Sequence, residues 1–293
     1  LHATPEDFGV MSDEPLHREL LDWLSVEFVR SGWSMKHVHR LIVMSATYRQ
    51  MSSEFRVLSS ELEQPTRYSE LGTRYYSLDP ENRLLARGPR QRLTAESIRD
   101  QALAVSGLLA RKLGGPPVYP PQPANIWRVT GAVDNKYPTS TGVDRFRRGV
   151  YTVWRRSSPY PSFVNFDAPD RAACVVKRPR TNTPLQALTL LNDPVYVEAA
   201  ASLAELLRTD DVAAGIEAGF QICLARSASG SETAILRDLW ESERARFESN
   251  LREAKQVLGA KAAGVSAREL PAQAAWVSVM NALLNLDELI TKG

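Results

Sequence analysis

Apolar residues recur through the first fifty positions at helical spacing. Leu16, Leu20, Leu24 and Phe28 fall four apart with Leu21 beside them, which predicts a helix from Pro15 to about Ser31. Gly32 stops it and Ser34 caps the next helix, in which Val38, Leu41, Ile42 and Ser45 share a face. The pair reads as an antiparallel helical hairpin joined by a Gly-Trp turn. From Tyr48 to Tyr76 the pattern weakens to a loop with a short helical turn over 53–62, and Asp79-Pro80 then opens a short helix that Arg87-Gly88-Pro89 ends. Thr94 caps the clearest helix, Ala95 to Leu113, with Ile98, Ala102, Val105, Leu109 and Leu113 as its buried stripe. Gly114-Gly115 terminates it, and the strip PPVYPPQP (116–123) is extended and laid over a core.

Residues 124–144 are polar and irregular around Trp127, and the alternation over Gly149–Arg155 predicts a strand paired with part of 126–133 as a small β-hairpin. A connector follows whose prolines at 159, 161, 169, 179 and 184 forbid a long helix. Thr183-Pro184-Leu185-Gln186 fits a capping box for a short helix, Leu185–Leu191. Asp193 caps and Pro194 opens the next, to about Leu207. Helices over Val212–Ala225 and Glu232–Leu258, a small-residue linker over 261–271 and a last helix over Ala272–Ile290 complete the pattern. Along Glu232–Leu258 the stripe is Leu236, Trp240, Phe247, Leu251 and Leu258, with Glu248–Arg252 as a supporting pair. The fold class expected is mainly α: a helical bundle-like body, one long irregular Pro/Arg-rich connector (114–193), and the hairpin. Residues 1–208 and 209–293 are expected to share one core as one domain.

Composition changes this picture little. With 293 residues, 43% hydrophobic and 24% charged, the chain can bury an ordinary core. A formal charge of +2 gives no basic face for nucleic acid. No apolar run approaches the ~20 residues of a membrane span. Two cysteines, Cys174 and Cys223, fix no redox compartment. The chain opens on Leu1 rather than Met and is expected to be a fragment of a longer protein. C-x-x-C-H, Walker, G-x-S-x-G and H-E-x-x-H motifs are absent. Glu14 and His17 have a carboxylate–histidine spacing that lacks the second copy a metal site would need, and His37 and His39 point apart on a helix, so no metal site is expected.

The connector carries the candidate chemistry. Arg155, Arg156, Arg171, Arg178 and Arg180, with Lys177, Tyr160 and Asn182, could form a cationic pocket for a carboxylate, phosphate or acidic sugar. The competing expectation is internal pairing, with Asp167 and Asp170 meeting the same arginines and pinning the loop to the helices. A carboxylate pair for glycoside hydrolysis would have to come from Asp167 and Asp170.

Four blocks carry a resemblance: YTVWRRSSPYPSFVNFDAPDRAACVVKRPRTNTPLQALTLLNDPVY (151–196), PLHRELLDWLSVEFVRSGWSMKHVHRLIVMSATYRQ (15–50), DPENRLLARGPRQRLTAESIRDQALAVSGLL (79–109) and VMNALLNLDELI (279–290). In this order they resemble the planctomycete domain of unknown function that accompanies c-type cytochrome modules. The resemblance implies an exported multidomain protein of the periplasm or cell envelope, with haem c in a separate module and no cofactor in this chain. It implies a structural or binding role beside the cytochrome module or other domains, and it transfers no catalytic residue. The alternative is a catalytic domain acting on an acidic or polysaccharide substrate through the connector.

Overall fold

A computed structural model of the chain describes residues 14–49, 77–86, 88, 91–123, 137–207, 209 and 211–292. The turn expected over 53–62, the strand over 126–133 and Trp127 lie outside them. The fold is mainly α, and the chain divides into two compact units, Leu1–Gln91 with Lys292–Gly293, and Arg92–Thr291.

In the smaller unit, α1 (Arg18–Arg30) and α2 (Met35–Met44) form the helical hairpin, and α3 (Ala46–Arg49) follows. Gly32 and Trp33 both take positive φ, 69° and 61°, so the chain turns in two residues and the Trp33 ring meets Phe28 edge-on at 5.2 Å. Ser34 Oγ caps α2 by accepting from the His37 N–H. Leu21, Leu24, Phe28, Val38 and Leu41 are half-buried, whereas Leu16 and Leu20 of the expected stripe are exposed. The helix expected after Asp79 is instead a turn: the Asp79 carboxylate accepts the N–H groups of Arg83 (2.9 Å) and Leu84 (2.8 Å) and satisfies them without a helix.

The larger unit is entered and left through two-residue strands, β1 (Gln91–Arg92) and β2 (Thr291–Lys292), paired with each other. Its helices are α4 (Ala95–Val105), α5 (Pro161–Asn165), α6 (Pro184–Asn192), α7 (Pro194–Leu206), α8 (Val212–Leu224), α9 (Gly230–Ser249), α10 (Leu251–Leu258), α11 (Leu270–Leu284) and α12 (Asp287–Ile290). The most extensive helix pairs are α9 with α11 and α11 with α7, and Tyr196, Leu203, Phe220, Phe247, Met280 and Leu283 fill the core they share with α4 and α8. Close approach of α8 depends on two glycines. A Cβ at Gly215 would lie 2.5 Å from the Trp276 ring, and one at Gly219 would lie 2.8 Å from Leu283. The strip 116–123 covers this unit as expected, with Val118, Pro120 and Pro121 buried.

Five further expectations are corrected. The helix from Thr94 ends at Val105 rather than Leu113, because Gly107 takes φ 73° and the N–H groups of Leu108 and Leu109 turn back to the Leu103 carbonyl; Leu113 is exposed. Gly149–Tyr151 is a 3-10 turn, not a strand, and Thr152 bridges in parallel to Val118 of the extended strip, with Val118 N–H to Tyr151 O and Val153 N–H to Val118 O both 2.8 Å. The helix over 232–258 breaks at Asn250, whose extended backbone and side-chain oxygen end α9 and cap α10. That break turns Leu251 outward, and Glu248 pairs with Arg244 at 3.0 Å instead of with Arg252. The last helix divides likewise between Leu284 and Asp287. Finally, Thr183 precedes α6 without a side-chain cap bond, so the capping box is not formed. Gln186 is fully buried, and its amide donates to Thr181 Oγ1 (3.1 Å) instead of reaching back to the cap.

Candidate functional site

The connector is held by one face of α4. Glu96, Arg99 and Asp100 stand at i, i+3 and i+4, the spacing that brings side chains together on a helix. Arg99 is fully buried and donates from Nη1 to the Arg147 carbonyl (2.7 Å) and from Nη2 to the Arg145 carbonyl (2.8 Å). Asp100 accepts the Gly149 N–H (2.6 Å) and Arg148 Nε (3.3 Å). Glu96 accepts from Arg178 Nη1 at 2.7 Å. Burial alone would raise the Glu96 carboxyl, but the Arg178 hydrogen bond and charge, with the local N–H, hold it below its usual value. Arg147 continues the stitching: its guanidinium lies 3.8 Å over the Tyr151 ring and donates to the carbonyls of Pro116 and Gly114.

Where these contacts meet, a cleft of about 300 Å³ is lined by Thr94, Glu96, Gly149, Val150, Thr152, Trp154, Phe163, Arg171 and Arg178. Gly149 fits closely there: an added Cβ would press on the Glu96 backbone at 3.0 Å and on Phe163 at 3.1 Å. Trp154 stacks on Phe163 with centroids 6.3 Å apart, and the Arg171 guanidinium lies 4.9 Å from the Trp154 ring. Among the described residues, Thr152 Oγ1 is buried with no hydrogen-bond partner. The cleft thus offers two guanidinium groups, one carboxylate and an aromatic face, a set suited to binding rather than to proton transfer.

Of the residues singled out in the sequence, only Arg171 and Arg178 line this cleft. Arg155, Arg156, Arg180 and Asn182 are exposed elsewhere on the connector, as is Lys177. Tyr160 is buried in the core and donates to the Pro121 carbonyl at 3.1 Å; burial first, then the Asp193 charge, push its hydroxyl well above the ordinary tyrosine range. The expected pairing of Asp167 and Asp170 with arginines is not what forms. Asp167 accepts the Thr181 N–H (2.7 Å) and hydroxyl (2.9 Å), closing the loop between them, and Asp170 accepts the Ala172 N–H (2.9 Å). Short side chains beside their own turn reach backbone donors more cheaply than they reach distant guanidinium groups. Neither lines the cleft, and they do not act there as a carboxylate pair.

Sequence reasoning missed Glu96, Arg99 and Asp100. Their signal was present in the helix they share, where a polar i, i+3, i+4 face lies beside the Ile98–Ala102 stripe. Beneath the connector lies a second polar group: Asp193 is buried, accepts the Val195 N–H at 3.0 Å and caps α7. Burial raises its carboxyl to about 6, against the lowering effects of that N–H and of the Arg99 charge. Tyr196, fully buried, shares a hydrogen bond with Ser162 at 3.1 Å. Among the described residues no three histidine, cysteine or acidic side chains are placed to hold a metal, and no helix is long and apolar enough to cross a membrane.

A family model, PSD1, described as a protein of unknown function (DUF1553), matches residues 1–240. No curated protein and no solved structure matches the chain.

Proposed function

The chain belongs to the PSD1 family of proteins of unknown function, and we propose that it is a structural or binding module of an exported multidomain protein, the structural part argued from its geometry and the export from the sequence resemblance. It packs against a c-type cytochrome module that carries the haem, in the periplasm or cell envelope. The observation that carries the structural part is the closed Glu96–Arg178 pair at 2.7 Å, together with the Arg99 forks on the connector carbonyls. These groups fasten the connector to α4. The cytochrome association rests on the sequence blocks over 15–50, 79–109, 151–196 and 279–290. The test is to isolate the native polypeptide containing these residues from an envelope fraction, record its haem absorption and cross-link it in place. A c-type spectrum with cross-links between this domain and a haem-bearing peptide is expected. A haem-free polypeptide with no such link overturns the reading.

One observation favours a second reading, a catalytic or ligand-binding domain for an acidic or polysaccharide substrate: Arg171 and Arg178 both line a concave cleft. Release of product from acidic polysaccharides by the parent, abolished in Arg171→Gln at unchanged stability, would establish that reading over the first.

A further inference from the structure

The short helix α6 is built inside out. Its polar side chains Gln186 and Thr189 are buried. Thr189 accepts from the Asn165 amide of α5 at 2.8 Å, and Gln186 donates to Thr181. Its leucines are on the outside, Leu185 and Leu188 each 54% exposed and Leu191 39%. No charged residue occurs between Pro184 and Asn192, and a helix that is apolar all round is normally covered all round. Val164 of the neighbouring α5 is exposed as well. The face is held in place, because the Asn281 amide of α11 donates to the Leu191 carbonyl at 3.0 Å.

The end of the connector leads directly into this helix. Asp167 holds Thr181, and Thr181 holds Gln186. Just before that clasp Lys177 and Arg180 are exposed, and among the described residues neither has an ion-pair partner. The connector's own acids are spent on its turns, Asp167 on the Thr181 N–H and hydroxyl and Asp170 on the Ala172 N–H. Outward leucines bordered by unneutralised cations have the layout of a protein interface, an apolar centre within a polar rim.

We propose that this face of α6 docks an acidic protein surface, one with an apolar centre bordered by aspartate and glutamate. Carboxylates answer Lys177 and Arg180, and an apolar folded surface answers the leucines. An acidic polysaccharide would supply the charge without the apolar centre. The inference rests on the reading of the chain as a binding module and names the face that binds; it does not depend on the partner's carrying haem.

Carbodiimide coupling of the native polypeptide tests it, since this reagent joins a lysine amine directly to a carboxylate that it touches. Lys177 should couple to an aspartate or glutamate outside residues 1–293. The yield should fall severalfold between about 0.01 and 1 M salt, as the screening length shrinks from about 30 to about 3 Å. Leu188→Asp and Arg180→Glu should each lower it at least about tenfold with an unchanged melting temperature, the loss expected when a buried leucine or a charge-assisted contact is removed from an interface. Two variants at exposed positions guard against misfolding of either one. The proposal is overturned if Lys177 couples only to carboxylates of residues 1–293, or to none. It is also overturned if both variants couple as the parent does, or if phosphatidylserine vesicles or polygalacturonate shield Lys177 while no protein cross-link forms. A Lys177 link to a haem-free partner keeps this face and removes the cytochrome reading, whereas a haem-bearing partner linked only through other residues does the converse.

Discussion

At the scale of single residues, the arginines of the larger unit are of two kinds. Arg99 is fully buried with its donors on two backbone carbonyls. Replacing it by Met leaves those carbonyls without partners in a dry place, which should lower stability by about 3 kcal/mol in denaturant unfolding. Arg178 is a third exposed and pairs with Glu96, so solvent screens it. A double-mutant cycle with Glu96→Gln and Arg178→Ala should give a coupling of about 0.5–1 kcal/mol. Arg180, one of the cations the sequence offers for a pocket on the connector, is exposed. Arg180→Ala should stay within about 0.5 kcal/mol of the parent. A loss at Arg180 equal to that at Arg178 would mean that the connector is held differently.

At the scale of elements, the two ends of α6 make opposite predictions. Thr183 has the right residue type and spacing for a cap, yet its hydroxyl makes no cap bond; Asp193, one helix later, makes one from a buried position. Thr183→Ala should therefore change thermal stability by less than about 0.5 kcal/mol, and Asp193→Ala should cost at least about 1 kcal/mol. Reversed losses would reinstate the capping box. The contrast shows what was legible in the chain. Caps at Ser34, Thr94 and Asp193, the helical hairpin, the covering strip 116–123 and the mainly α class follow from local spacing, because a cap or stripe is settled within one turn. Gln186 was misread because its buried amide is claimed by Thr181, a contact decided by how the Asp167 loop folds. The breaks at Gly107 and Asn250 interrupt stripes that continue at helical spacing on both sides, so periodicity alone ran through them. As for the candidate site, the connector was visible as a charged, proline-cut segment. Its partners on α4 were not, since Glu96 and Arg178 are 82 residues apart and meet only through tertiary packing.

At the scale of the larger unit as a whole, two buried or bridged carboxyls pull its stability in opposite directions with pH. Asp193 has a folded value of about 6 against an ordinary 3.8. The native state therefore holds its proton more tightly, and this contribution is complete below the unfolded value and disappears as pH rises through about 6. Glu232 behaves in the reverse sense. Hydrogen bonds from Arg226, first among its influences, hold it at about 2, so its contribution is present above 4.5 and fades as pH falls toward 2. Glu96, also lowered, adds to that acid side. Stability should then rise as pH falls from neutrality, pass through a maximum between the two unfolded values, 3.8 and 4.5, and drop in stronger acid. Asp193→Asn separates the two effects, because asparagine keeps the cap and cannot titrate. Its stability relative to the parent should be highest near pH 7 and fall by roughly 3 kcal/mol toward pH 4, the equivalent of a shift of about two pKa units. Melting curves at a series of pH values read this directly. If the difference between parent and variant stays flat, Asp193 is not buried in its charged form, and the polar group beneath the connector is open to water.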